Sequence, residues 1–146
     1  KQMTYLELIN IIKTELDNSP LINRVINNDI FEIDVEKNGA FPLALFYVEN
    51  VEIDTKILTY NVNLLIADIL DVNKDADQDN KDFIWNQSLE VIKNLYAKLS
   101  RGELYQNNLQ QITISTATPF TDRFDKGLAG MEINFAIVVK NEMTIC

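Results

Sequence analysis

The sequence predicts an α+β fold in which two helices pack on one mostly antiparallel sheet, in the order α-β-β-β-α-β-β. Two segments, at residues 5–16 and 85–99, repeat apolar residues at helical spacing. The segments between and after them alternate apolar and polar residues with period two. Prolines, glycines and an acidic run fall between the elements, where turns are needed. A chain of 146 residues with 47% apolar content is the size of one domain with one core, so a single domain over 1–146 is expected.

In the first helix Tyr5, Leu8, Ile9, Ile12 and Leu16 form the apolar stripe, and Thr4 with Glu7 makes a capping box. Asn18-Ser19-Pro20 ends it, because proline lacks the N–H donor and disfavours helical geometry before it. Residues 21–28 read as a short turn or helical fragment. Phe31, Ile33 and Val35 then alternate with acids and lead into Asn38-Gly39, the signature of a hairpin. Its second strand covers about 41–53. A third strand, about 57–68, sets Leu58, Tyr60, Val62, Leu64 and Ile66 against a wet face of Thr59, Asn61 and Asn63. The second helix carries Trp85, Leu89, Ile92, Tyr96 and Leu99 on one stripe, with Gly102 as its C-terminal cap. Strands near 111–118 and 130–141 complete the sheet, joined by a long connection over 119–130 in which Gly127 and Gly130 supply turns.

Composition excludes several chemistries. Thirteen Lys and Arg against twenty-two Asp and Glu leave a formal charge of −9, unsuited to a protein that binds DNA by neutralising its phosphates. The chain has no histidine, which removes the commonest general base and neutral metal ligand. Its one cysteine, Cys146, can form neither an intrachain disulfide nor a thiolate cluster. No apolar run is long enough to span a membrane and the N-terminal residues lack a secretion signal, so a soluble, non-exported protein is expected. Four glycines leave no phosphate-binding loop or nucleophile elbow, and no pair of acids stands out as an acid/base dyad; a non-enzymatic protein without a cofactor is expected.

One loop imitates a calcium site. Asp71, Asn73, Asp75, Asp77, Asp79 and Asp82 occupy positions 1, 3, 5, 7, 9 and 12 of an EF-hand window. Ala76 replaces the turn glycine, however, and Asp82 is one methylene shorter than the bidentate glutamate. A strand, not a helix, precedes the loop. A calcium-binding module is therefore the alternative reading, and a solvated acidic loop that caps the second helix through Asp79 or Asn80 the preferred one. Trp85 reads as a core anchor.

The segment PFTDRFDKGLAGM at 119–131 sets Phe120, Phe124 and Leu128 among charges, so it must pack on its own domain or a neighbour. The bland reading is a folded-back loop with Arg123 paired to Asp122 or Asp125. FTDRFDKGLAGMEINFAIVV at 120–139, with FPLALFYVENVEI at 41–53 and TYNVNLLIADILD at 59–71, resembles the tail terminator, tail completion and head-to-tail joining proteins of tailed bacteriophages. The likeness is to those of phages and prophages of Bacteroides-type bacteria. The resemblance implies a structural virion protein, made in the host cytoplasm, that closes a homo-oligomeric ring, commonly a hexamer, between the tail tube and the neck or connector. DNA would pass through such a ring without specific binding, and an acidic lumen suits that passage. Subunit contacts are then expected at Phe120, Arg123, Phe124, Asp125 and Leu128 and at the hairpin around Asn38, and lumen residues among the acids of 71–82 or 49–54.

Overall fold

The computed structural model describes residues 4–27, 41–70, 80–100, 109–123 and 127–140. It is an α+β fold with the order α1 (Tyr5–Asp17), β1 (Arg24–Asn27), β2 (Leu43–Ile53), β3 (Ile57–Ile69), α2 (Lys81–Ser100), β4 (Leu109–Arg123) and β5 (Leu128–Lys140). The strands form one sheet ordered β1-β2-β3-β5-β4, antiparallel throughout except for the parallel β1–β2 pair.

Helix α1 starts where the capping box places it: Thr4 Oγ1 accepts from the Glu7 N–H at 3.2 Å. Its stripe Leu8, Ile9, Ile12 and Leu16 is buried. Tyr5 lies at the margin, half exposed, with its ring 6.4 Å from that of Tyr60. Both helices cover the same side of the sheet. There Ala44 and Phe46 of β2, Tyr60 to Ile66 on alternate positions of β3, and Ile133, Phe135, Ile137 and Val139 of β5 make the main core.

Four sequence expectations need correction. Residues 24–27 are a strand, not a turn or helical fragment: Val25 turns to the main core and Ile26 to the opposite face, the period-two split that a short run of four residues conceals. The Asn23 N–H donates to Pro42 O at 2.9 Å and holds this strand against the start of β2, beside the cis Phe41–Pro42 bond. On α2 the buried stripe is Ile84, Ser88, Val91, Ile92, Leu95 and Leu99, while Leu89 and Tyr96 are exposed. The two candidate stripes share Ile92 and Leu99 and differ by a small rotation; the sheet takes the one that carries no aromatic side chain. Residues 119–130 are not a long loop, since β4 runs to Arg123 and β5 begins at Leu128.

Gly130, finally, is no turn residue but a strand position opposite Ala67 and Phe120, where an added Cβ would lie 1.7 Å from the Ile66 carbonyl oxygen. Gly127 does turn the chain, with φ of 65°. The predicted 31–36 hairpin strand, Asn38-Gly39 and Gly102 lie outside the described residues.

Candidate functional site

The side of the sheet opposite the helices divides into two halves. One is apolar: Leu45, Leu65, Ala67 and Leu128 are buried there, flanked by Ile26, Phe41, Tyr47 and Phe120. The other is polar and lies open across β2, β3, β5 and β4. Cross-strand register puts Asn50 opposite Asn61, Glu52 opposite Thr59, Asn63 opposite Asn134, and Thr118 opposite Glu132.

A β-bulge builds this half. Val48 pairs with Val62 but Asn50 with Asn61, so Glu49 is an extra residue on β2. The insertion lets Glu49 and Asn50, adjacent in sequence, both reach polar groups of β3. Asn61 Nδ2 donates to Asn50 Oδ1 at 2.6 Å and to Glu52 Oε2 at 3.3 Å. Asn63 Nδ2 donates to Glu49 Oε1 at 3.4 Å and, from the other side, to Glu132 Oε1 at 3.3 Å. Glu49, Asn50, Asn61, Thr113, Asn134 and Ala136 line a shallow depression of about 330 Å³ over these strands.

Asn63 is not the wet residue its alternation suggests. It is 4% exposed, and its Oδ1 has no hydrogen-bond partner. An orphaned buried acceptor costs about 1–3 kcal/mol, so Asn63 carries a penalty at the centre of the polar half. Around Asn61 and Asn63 the described side chains offer carboxylates and amides, an anion-repelling patch, while alternation places Lys140 on the same face at the far end of β5.

The expected contact residues separate. Leu128 is fully buried in the chain's own apolar half and cannot be a subunit contact, because its side chain is already covered. Phe120 is half buried against the same cluster, and its carbonyl accepts from Trp85 Nε1 at 3.0 Å. Trp85 is thereby an anchor of α2 on β4, with Lys81 Nζ 5.4 Å from its ring centroid. Arg123 ends β4 opposite Leu128, while Phe124, Asp125 and Asn38 lie outside the described residues. So do Asp71, Asn73, Asp75, Asp77 and Asp79; Asp82 is exposed in the first turn of α2. Asn80 ties that turn to β3 through Nδ2, which donates to Ile69 O at 3.2 Å.

Among the described residues no group of three or more His, Cys, Asp and Glu is placed to hold a metal ion. No helix among them is long and apolar enough to cross a membrane. Tyr60 titrates above its ordinary value because burial disfavours the phenolate, with the neighbouring Tyr5 adding to the effect. The sequence points to the acids of 49–54 and to Asn61 and Asn63, but not to Glu132. Its signal was the alternation that sets Glu132 and Asn134 opposite the apolar face of β5; which β3 residues they meet depends on register.

No family model matches the chain, and no curated protein matches it.

Proposed function

We propose that this protein is a non-enzymatic structural subunit of a phage virion, a tail terminator or tail completion protein that closes a ring, commonly a hexamer, between tail tube and neck. The observation that supports it is the open half of the sheet, where Glu49, Glu52 and Glu132 stand among asparagines and threonines. Facing a lumen, such a wall repels phosphate and lets DNA slide past without being held. Ring closure needs a heterologous interface, two different patches on each copy, whose rotation closes. The 41–53, 59–71 and 120–139 segments that resemble such proteins cover β2, most of β3, the end of β4 and most of β5, and so most of the strands that carry the polar face.

Light scattering across a concentration series, followed by electron microscopy of any large species, tests the reading. A discrete hexamer or dodecamer with an open centre is expected, alone or on addition of tail tubes. A monomer that neither assembles nor binds tail tubes would overturn it.

A further inference from the structure

We infer that the flank of α2 beside the β4 edge is a self-docking surface, on which the α2 of a second copy packs antiparallel across a two-fold axis. Trp85, Leu89, Ile92, Tyr96 and Leu99 are spaced four, three, four and three residues apart, the repeat by which one helix accepts another along a seam. Only part of that seam is used inside the chain. Ile92 and Leu99 are buried against the sheet, whereas Leu89 and Tyr96 are 38% and 40% exposed and Trp85 is partly buried. The bond from Trp85 to the Phe120 carbonyl fixes which way this flank points, toward the outermost strand of the described sheet. Helix α1 lies along the opposite flank, where Lys98 Nζ meets Glu15 Oε1 at 2.5 Å and Val91, Asn94 and Leu95 line one groove with Leu16. Among the described residues α2 thus has a helix neighbour on one side and none on the other.

Charge selects a copy of this chain as the occupant. From Leu109 to Thr121 β4 carries no charged residue in a chain of formal charge −9, so two copies meet at this margin without setting acid against acid. A basic partner would instead find its attraction on the far side of the sheet, at Glu49, Glu52 and Glu132. The stripe itself is bordered by one acid and one base, Asp82 and Lys93, the lysine held by an exposed pair with Glu90 at 3.1 Å. An antiparallel copy runs these two in the opposite order and so offers acid to base. A foreign strand fits this edge poorly, because register shifts at Leu109/Gln111, Ile114/Thr116 and Phe120/Arg123 interrupt β4 and Pro119 has no N–H to donate. What docks here meets side chains, as a helix does. The contact is isologous, distinct from the heterologous one that ring closure needs, and does not depend on the ring reading. With Trp85, Leu89 and Tyr96 as its main apolar side chains it is small, so the association is expected to be micromolar.

Sedimentation velocity of the full chain, from submicromolar to hundreds of micromolar, tests it. Leu89→Glu and Tyr96→Glu, each at an exposed position, should halve the mass of the species that the wild-type chain forms. Tyr96→Phe should leave that mass unchanged, and Leu6→Glu, at a more exposed apolar position on α1, should not halve it. Trp85 gives a second readout that needs no variant: its emission should move to longer wavelength as the wild-type chain is diluted through its association range. A wild-type chain that stays monomeric throughout, a mass that survives Leu89→Glu and Tyr96→Glu, one that Leu6→Glu also halves, or dissociation that leaves the emission of Trp85 in place would overturn the proposal. A hexamer indifferent to Leu89→Glu and Tyr96→Glu would overturn it while leaving the ring reading standing.

Discussion

Gly130 passes so close to Ile66 that the two strands carrying them, β5 and β3, could not keep their register around any larger residue: a Cβ on Gly130 would meet the Ile66 carbonyl oxygen at 1.7 Å. The obstacle is backbone, which cannot rotate away as a side chain can. Gly130→Ala should therefore cost about 3 kcal/mol or more in urea denaturation. Gly127→Ala, where open space surrounds the position and only the positive φ is strained, should cost about 1–2 kcal/mol. Equal losses at the two glycines would contradict the close approach.

The rotation of α2 makes a second prediction. Leu95→Ala removes a side chain buried in the main core and should destabilise by about 3 kcal/mol. Leu89→Ala, on the stripe that the sequence alone favoured, should change stability by no more than about 0.5 kcal/mol. Chemical denaturation of the two variants measures the difference directly.

Alkaline stability should depend on Tyr60. Its pKa is raised in the folded chain above the ordinary tyrosine value of 10.0, so the unfolded chain releases this proton first as pH rises. The contribution is whole below pH 10 and is lost as pH climbs through the folded value. Tyr60→Phe should flatten that alkaline limb in melts recorded from pH 8 to 11. With no histidine in the chain, the curve between pH 6 and 8 should be nearly level.

If the polar half of the sheet lines a conduit, reversing its charge should turn a slippery wall into a sticky one. A Glu49→Lys/Glu52→Lys variant should retain duplex DNA in gel-shift assays, with affinity that falls steeply as salt rises, and the wild-type chain should retain none. Absence of any gain in the folded variant would place this face away from DNA.

How much of this was legible in the sequence follows from what each signal measures. Period two located β3 and β5 because each has one apolar face along most of its length, and the Thr4–Glu7 box located the start of α1. The four residues of β1 are too few to show a period. On α2 the sequence contains two overlapping stripes, and only the sheet selects between Leu89 and Leu95. The polar site was half visible: alternation put Asn61 and Asn63 on one face, but the burial of Asn63 depends on its flanking by Glu49 and Glu132. Glu132 is sixty-nine residues away in the chain and arrives through β3–β5 register, and Glu49 through a bulge. Neither contact leaves a mark in local sequence.

The bond from Trp85 to the Phe120 carbonyl also makes the protein its own reporter. Trp85 is the only tryptophan in the chain, so intrinsic fluorescence watches a single place, the seam where α2 lies against the end of β4. Circular dichroism averages over both helices and the whole sheet. Where the two signals follow one curve during unfolding, the hairpin of β4 and β5 melts with the core; where the emission shifts first, that seam is the hinge along which the molecule opens.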